Sequence, residues 1–171
     1  AFELISNLDT SDSNKITIVN CLANACGYLG MVGGQIKDIH SKEINTVHDL
    51  DIMHSQKTGR LIQASLETSG ILSELDQKDI KALSKYGEKI GLAFQIQDDI
   101  IDIESPSSIS GKDQGSDINK DKITYPSIVG LEGSRTRARE LASEAKEILH
   151  LSQKNTDNLH KLADYIVQRK T

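Results

Sequence analysis

The chain has 171 residues, of which 37% are hydrophobic and 26% charged, and its formal net charge is −5. This length accommodates one domain with a sizeable core, and the scarcity of proline beside abundant helix-forming residues favours helices. The negative charge argues against a nucleic-acid-binding protein, which normally carries a basic face.

Two further features bear on where the protein works. Cys21 and Cys26 lie five residues apart in one apolar segment, which predicts small, buried, reduced side chains in a cytoplasmic protein. The N-terminus lacks the charged region followed by an apolar core that a signal peptide has. Asn20 and Asn24 interrupt the apolar run 16–34, so we predict a buried helix of a bundle and no membrane span.

Apolar residues recur with a period close to 3.6 along nearly the whole chain, which predicts an all-α bundle in a single domain, 1–171. The first helical pattern, 2–8, follows directly on Ala1 without a methionine, so we expect a fragment that is incomplete at its N-terminus. Further helices are predicted near 13–39, 46–70, 76–104, 134–152 and 156–168, with a short helix or turn near 121–130. The predicted N-caps are Asp12 or Ser13, Asn45 and Asp76.

The helix predicted at 76–104 carries four polar residues with the spacing i, i+3, i+4 and i+7, which predicts one stripe. They are Gln95, Asp98, Asp99 and Asp102. The three carboxylates repel one another and lie at the helix end that disfavours negative charge, so a bound cation would explain them. Oxygen ligands without nearby His or Cys suit Mg²⁺, with Mn²⁺ as an alternative. The other interpretation is a solvated acidic face, whose charge Lys89 offsets in part.

Glycines occur where a helix normally disfavours them, at a cost of up to about 1 kcal/mol each relative to alanine. Gly87 and Gly91 precede the acidic stripe and are predicted to leave space above the helix. The stretch "GYLGMVGGQIKD" contains four more glycines, which imply the close approach of another helix or of a ligand. Gln35 and Asp38 lie three residues apart on one face and are placed to reach the same cavity. Tight packing between helices is the alternative.

Lysines form the third unusual pattern. Lys57 lies at the centre of an otherwise apolar stripe made by Leu50, Met53, Leu61 and Ala64, so it either extends to the surface or points into a polar cavity. Thr58 adds a hydroxyl group beside it. The loop "GKDQGSDINKDK" combines glycines with lysines that suit phosphate, although its spacing is not that of a P-loop. A helix with metal-binding aspartates, followed by a loop with lysines, suggests that the ligand is a diphosphate bridged by the metal.

The segment "GLAFQIQDDIIDI", followed by "GKDQGSD" and "KITYP", closely resembles the second aspartate-rich region of trans-prenyl diphosphate synthases. "GMVGGQIKDI" and "MHSQKTGRLIQAS" resemble two further blocks of this family in the expected order, and "LADYIVQRKT" resembles the C-terminus of bacterial farnesyl diphosphate synthases. The resemblance implies the C-terminal part of an isoprenoid-synthase-type helical bundle. It also implies an enzyme of isoprenoid biosynthesis that condenses an allylic diphosphate (dimethylallyl or geranyl) with isopentenyl diphosphate and releases diphosphate.

The resemblance implies a role for each matching residue. The three aspartates hold Mg²⁺ that bridges the allylic diphosphate, with Asp98 as a direct ligand and Asp99 and Asp102 bound directly or through water. Close to the departing diphosphate and the developing cation lie the catalytic residues Lys57, Thr58 and Gln95. The further substrate-binding residues are Lys112 and Lys122 for the allylic diphosphate, Gln35 and Asp38 near the reacting carbons, and Arg169 with Lys170 toward the second diphosphate. Asp117 supports the metal region, and the histidines (His40, His48, His54, His150 and His160) are predicted to be surface residues rather than ligands.

The family's first aspartate-rich motif, with the arginine pair that follows it, is absent from these 171 residues. We therefore expect this segment alone to be inactive and to associate with another chain, in a family that is usually homodimeric. One alternative is a non-catalytic subunit that regulates a full-length prenyl synthase. The other is a terpene cyclase or head-to-head condensing enzyme of the same fold, although such enzymes usually lack the "GKDQGSD…KITYP" loop.

Overall fold

The computed structural model describes residues 1–104, 123–149 and 154–170, and every regular element within these ranges is helical. The prediction of an all-α fold is confirmed. In chain order the α-helices are α1 (Phe2–Ser6), α2 (Asp12–Cys26), α3 (Met31–Ile39), α4 (Val47–His54), α5 (Arg60–Leu72), α6 (Gln77–Glu104), α7 (Tyr125–Leu149) and α8 (Asp157–Gln168). A 3₁₀ turn, Ser41–Glu43, lies between α3 and α4, and a π-helical segment, Ser55–Gly59, joins α4 to α5.

The long helix α6 is the centre of the bundle. It packs against α5, α7, α8 and the π-helical segment, and it also contacts α4. Its inward face follows the helical period through Tyr86, Ile90, Ala93, Ile96 and Ile100, all of which are buried in the main hydrophobic cluster. Because so many neighbours depend on it, α6 fixes the positions of the other helices relative to the acidic residues near its C-terminal end.

The helix predicted over 13–39 is divided in the structure. α2 ends at Cys26, and the backbone at Gly27 and Gly30 is not helical before α3 begins. A Cβ atom at Gly30 would lie 2.0 Å from the carbonyl oxygen of Ala25, so only glycine fits where the chain turns back so closely. The N-cap of α2 is Ser11, whose hydroxyl accepts a hydrogen bond from the Asn14 N–H at 3.2 Å, and not the predicted Asp12 or Ser13.

The helix predicted over 46–70 is interrupted by the π-helical segment, and its N-cap is Thr46 rather than Asn45. The Thr46 hydroxyl accepts a hydrogen bond from the Asp49 N–H at 3.1 Å and donates one to the Asp49 carboxylate at 2.6 Å, which is a reciprocal cap. For α6, the predicted cap is confirmed, since Asp76 Oδ1 accepts a hydrogen bond from the Asp79 N–H at 2.8 Å.

The elements predicted near 121–130 and 134–152 form one kinked helix in the described residues. α7 bends at Gly130, where φ is 75° and ψ is 166°, a conformation that glycine adopts without strain. The last predicted helix, 156–168, is confirmed as α8. α8 carries the C-terminal segment back toward α6 and so places it beside the acidic residues.

Two predictions about the N-terminal region are modified. Both cysteines are free thiols, but they are half-buried rather than buried. Burial, together with a hydrogen bond from the thiol to Glu67, raises the pKa of Cys21 to about 12. The prediction of a buried helix over 16–34 is wrong, since Ile18 and Ala25 are the only buried residues of α2. Asp12–Ile39 is the one helical stretch in the described part of the chain with enough length and apolar character to cross a membrane. The absence of a membrane span therefore stays a prediction.

Candidate functional site

Lys57 meets Asp38 at the contact between the π-helical segment and α3. The Lys57 Nζ atom lies 2.5 Å from Asp38 Oδ2, and the side chains are 26% and 13% exposed. A Cβ atom at Gly34 would lie 2.2 Å from the Lys57 backbone nitrogen, so the glycine lets the two backbones touch. Of the two interpretations of Lys57, the polar environment is the one the structure supports, and the close approach predicted from the glycine-rich stretch is confirmed at Gly34.

Thr58 and Gln95 connect the same segment to α6. The Thr58 hydroxyl donates a hydrogen bond to Gln95 Oε1 at 2.8 Å. Gln95 lies one helical turn before Asp98, so the two residues point in similar directions along α6. The structure thus brings together the three residues predicted to be catalytic, with Asp38 beside them and Asp98 one turn away.

The glycines of α6 do not leave the space that the sequence predicted. A Cβ atom at Gly91 would lie 2.6 Å from the Gly59 Cα, and one at Gly87 would lie 2.8 Å from the Gln63 Cα. The space is filled by the backbone of the π-helical segment and of α5. These glycines therefore permit a close helix crossing, and this crossing holds Lys57 and Thr58 against α6.

The three aspartates have three different environments, so the prediction that they form one stripe is wrong for Asp99. The Asp98 side chain is 38% exposed, while that of Asp99 is only 6% exposed. Asp102 lies one turn after Asp98 and is exposed. Lys89 does not offset their charge as suggested, since its Nζ atom lies 2.7 Å from Glu144 Oε2.

Arg169 folds back over α6 from the end of α8. Its guanidinium group contacts the Asp98 carboxylate and lies over the Phe94 ring, 4.2 Å from the ring centroid. Its backbone carbonyl accepts a hydrogen bond from Gln97 Nε2 at 2.9 Å. Arg169 was predicted to bind the second diphosphate, and in the structure it contacts α6 at Asp98 and Gln97. Its role in binding substrate stays a prediction.

His54 is buried, and the prediction that it lies on the surface is wrong. It is 2% exposed, and its Nε2 atom lies 3.7 Å from Asp99 Oδ2. The spacing of Leu50 and His54, four residues apart on α4, could have placed the histidine in the buried stripe. The prediction of a surface position is confirmed for His40 and His48, which are exposed. His160 is half-buried, and His150 lies outside the described residues.

Tyr125 and Asp51 adjoin this buried histidine, and sequence analysis did not single them out. The Tyr125 backbone N–H donates a hydrogen bond to Asp99 Oδ2 at 2.9 Å, and its hydroxyl donates one to Asp51 Oδ1 at 2.8 Å. Burial raises the pKa of Asp51, against the opposing effect of the Tyr125 hydrogen bond. Burial and the neighbouring Asp51 likewise raise the pKa of Tyr125 above its ordinary range.

The remaining predicted residues are either exposed or outside the described ranges. Gln35 is exposed on α3, although Asp38 on the same helix is turned to Lys57. Lys112 and Lys122, which were predicted to bind diphosphate, lie outside the described residues. The same holds for Asp117, which was predicted to support the metal region.

Two carboxylates on α6 are suitable ligands for a magnesium ion, but they do not form a complete binding site by themselves. Asp98 and Asp102 present carboxylates one turn apart on the accessible side of the helix, and Mg²⁺ is commonly held by one or two carboxylates together with substrate phosphates. Within 1–104, 123–149 and 154–170, the structure shows no group of three or more His, Cys, Asp or Glu side chains that could hold a metal ion. A complete metal cage is therefore not gathered by these residues alone.

Known proteins resemble this chain over nearly its whole length. The family model for polyprenyl synthetase matches residues 1–166. The chain belongs to the polyprenyl synthetase family. Among its relatives in the family is the farnesyl diphosphate synthase of Escherichia coli (strain K12), 41% identical over 178 residues, covering 99% of this chain and 59% of that protein. The farnesyl diphosphate synthase of Micrococcus luteus is 38% identical over 170 residues, covering 99% of this chain and 58% of that protein.

A solved structure extends the comparison to the fold of the chain. The geranyltransferase of Helicobacter pylori, in complex with magnesium and isoprenyl diphosphate, superimposes with a TM-score of 0.79 at 29% identity. The match covers 97% of this chain and 55% of that chain. The predicted isoprenoid-synthase-type bundle is therefore confirmed. The chain spans a little under three fifths of the length of the curated relatives described above.

Proposed function

We propose that the protein is a prenyltransferase that joins an allylic diphosphate, either dimethylallyl or geranyl diphosphate, to isopentenyl diphosphate in isoprenoid biosynthesis. The observation that carries this proposal is the hydrogen bond of Thr58 to Gln95, one turn from Asp98 on α6, beside Lys57 with its ion pair to Asp38. This part of the structure combines the Lys57 ammonium group, the Thr58 hydroxyl group and the Asp98 carboxylate, which are suited to binding a metal-bound diphosphate. The names of the two relatives, both farnesyl diphosphate synthases, support the same reaction.

The proposed reaction separates charge, and the described residues suit that task. The carbon–oxygen bond of the allylic diphosphate breaks, and its electron pair leaves with the diphosphate. The allylic carbon then bonds to the double bond of isopentenyl diphosphate, and a proton passes to the released diphosphate. Lys57 is held by Asp38 before the reaction begins, so its ammonium group stabilises the developing negative charge without first having to be ordered.

We propose Mg²⁺ as the cofactor, with Mn²⁺ able to replace it, and Asp98 and Asp102 as the carboxylates that hold it. When bound, the ion supplies positive charge that stabilises the leaving diphosphate. Lys112 and Lys122 are proposed to contact the same diphosphate and Arg169 that of the second substrate. Gln35 is proposed to border the cavity near the reacting carbons.

We further propose that the protein is cytoplasmic and acts as a homodimer.

The test is transfer of labelled isopentenyl diphosphate to each allylic diphosphate by the complete protein as encoded, with Mg²⁺ present. We expect Asp98→Asn to lower kcat by about 100-fold or more, because it removes a carboxylate that would hold Mg²⁺ beside the leaving diphosphate. Glu88→Gln, on the exposed side of the same helix, is the matched control and should leave kcat unchanged. The absence of transfer by the wild type would contradict the proposal and favour a non-catalytic subunit. An unaltered kcat in Asp98→Asn would contradict the role proposed for Asp98. Assayed alone, the 171-residue chain should show no turnover.

A further inference from the structure

Asp99 is set apart from the two aspartates beside it by its direction on α6. Asp98 and Asp102 are four residues apart and share an accessible face, whereas Asp99 is rotated about 100° from Asp98 around the helix. Its side chain is 6% exposed and lies inside the bundle. A buried carboxylate is costly unless polar groups surround it, so the neighbours of Asp99 indicate what it does.

The first neighbour is the start of α7. Tyr125 is the first residue of this helix, and its backbone N–H donates a hydrogen bond to Asp99 Oδ2 at 2.9 Å. The first N–H groups of a helix have no partner within the helix, and a negative charge there is favoured by the helix dipole. Asp99 on α6 therefore acts as an N-terminal cap for a different helix through this hydrogen bond.

The second neighbour is the end of α4. His54 Nε2 lies 3.7 Å from the same oxygen of Asp99, and the His54 ring is stacked on that of Tyr125 with centroids 6.3 Å apart. The Tyr125 hydroxyl reaches α4 as well, through its hydrogen bond to Asp51. The carboxylate of Asp99 thus lies where α4, α6 and α7 meet. We call this group of Asp51, His54, Asp99 and Tyr125 the three-helix junction.

On each helix, a residue of the three-helix junction is close in the sequence to residues of the proposed site. His54 ends α4 and is three residues before Lys57, and Asp99 follows Asp98 on α6. In the sequence, the segment 105–122, which contains the predicted diphosphate-binding lysines, joins α6 to α7 just before Tyr125. The junction residues are therefore close in the chain to Lys57 and Asp98, and Tyr125 follows shortly after the segment that contains the two predicted lysines.

From this geometry we propose that Asp99 is a positioning residue that fixes the start of α7 and the end of α4 on α6, rather than a metal ligand. The proposal deepens the proposed function, since it gives the middle aspartate of the motif a task different from that of Asp98. It explains why the three aspartates do not share one face. The role follows from the hydrogen bond to Tyr125 and from burial, both of which are independent of any metal.

The first test measures hydrogen exchange at the Tyr125 amide in the complete protein without metal or substrate. Asp99→Ala should accelerate this exchange by about 10-fold or more, because the amide loses its acceptor. Asp102→Asn should leave the exchange unchanged. Tyr125→Phe is the matched control within the junction: it removes the hydrogen bond to Asp51 but keeps the backbone N–H, so residue 125 should stay protected. Unaltered exchange in Asp99→Ala would overturn the proposal.

The second test measures binding of Mn²⁺ together with inorganic diphosphate, followed by electron paramagnetic resonance. Asp99→Asn is the variant for this test, since its amide oxygen still accepts a hydrogen bond and keeps the helix start in place. Asp98→Asn should weaken Mn²⁺ binding far more than Asp99→Asn does. An equal loss in the two variants would overturn the proposal. Failure of the wild type to bind Mn²⁺ would count against the proposed function, while the exchange experiment would still decide the role of Asp99.

Discussion

Lys57 introduces a positive charge where its helical stripe is otherwise apolar. Asp38, with a side chain 13% exposed, holds the ammonium group at 2.5 Å, and this pairing orders a side chain that would otherwise have many rotamers. The π-helical geometry contributes as well, since such segments change the direction of side chains within a helix and are frequent at functional sites. The residue thus combines charge with preorganisation, which is the combination that charge-separating reactions need.

Lys57→Met should lower kcat by about 100-fold to 1,000-fold, because it removes a preorganised cation while keeping most of the volume of the side chain. We expect a smaller effect on KM for the allylic diphosphate, since the charge on the leaving group is largest in the transition state. Steady-state kinetics of the complete protein would measure both constants. Lys37→Met, an exposed residue next to Asp38 on α3, is the control for the loss of a nearby positive charge. Comparable kcat values for the two variants would contradict this role.

The residue types of the site could be predicted from the sequence, but their partners could not. The pair Lys57–Asp38 joins positions 19 apart in the chain, and Thr58–Gln95 joins positions 37 apart. Helical spacing states which residues share a face, but it does not state which neighbouring helix that face meets. For Asp99 the spacing was misleading, because a stripe wide enough to contain i, i+3, i+4 and i+7 also reaches the buried side of the helix.

At the scale of helices, the crossing of α6 with the π-helical segment is what brings the site together. Gly91 and Gly59 lie face to face there, but the space around them is unequal. A Cβ atom at Gly91 would lie 2.6 Å from the Gly59 Cα, whereas one at Gly59 would have its nearest neighbour, Ser55 Cβ, at 3.8 Å. The crossing thus requires glycine on α6 and tolerates a methyl group on the other side.

Gly91→Ala should reduce the free energy of unfolding by about 1–3 kcal/mol, because the added methyl group forces the backbones apart. Gly59→Ala, at the same crossing, should stay within about 1 kcal/mol of the wild type, since alanine fits and also favours helix. Urea unfolding of both variants provides the comparison. Equal stabilities for the two alanine variants would show that close packing at this crossing is not what requires the glycine.

Helical segments were predictable because an apolar face of period 3.6 is required to form a core. Breaks within them were not, and the division after Cys26 shows why. The stretch between α2 and α3 keeps an apolar helical pattern, but the chain turns there so closely that a Cβ atom at Gly30 would lie 2.0 Å from the Ala25 carbonyl oxygen, a backbone contact that periodicity does not report. N-caps were off by one or two residues at Ser11 and Thr46, because adjacent polar residues offer equally good caps in a sequence.

At the scale of the whole molecule, Tyr86 links the central helix to the C-terminal one. Its side chain is fully buried, and its hydroxyl donates a hydrogen bond to the Leu159 carbonyl on α8 at 2.7 Å. Burial raises the pKa of Tyr86 to about 12, and the charge of Asp164 contributes in the same direction. An ionised tyrosine is therefore disfavoured in the folded protein.

Stability should consequently fall as the pH rises above about 10, where tyrosines of the unfolded chain lose their protons, toward 12. In this range the unfolded state binds fewer protons than the folded state, so each pH unit costs up to about 1.4 kcal/mol for this group. Tyr86→Phe should reduce the slope of unfolding free energy against pH. Tyr28→Phe, at a tyrosine that is 77% exposed, is the control and should not. Equal slopes for the two variants, measured by urea unfolding from pH 9 to 11.5, would refute this link.

Along α2, α3 and the segment between them, a set of large apolar side chains is exposed in the described structure, and we call this set the apolar face. It consists of Ile16, Tyr28, Leu29, Val32, Ile36 and Ile39. Apolar surfaces of this kind mark places where another chain or segment binds. The family resemblance implies a homodimer, so we expect a second copy of the protein to cover this face.

Ile16→Asp combined with Leu29→Asp should therefore convert a dimer of the complete protein to monomers, because two buried charges without partners are very unfavourable in an apolar interface. Sedimentation velocity across a range of protein concentrations would measure the change. Leu162→Asp, an exposed leucine on α8, is the control and should leave the dimer intact. If the wild type is monomeric, or if the double variant remains dimeric, a second copy does not cover this face. In the monomeric case, protection of the face from hydrogen exchange would indicate that the rest of a longer polypeptide covers it instead.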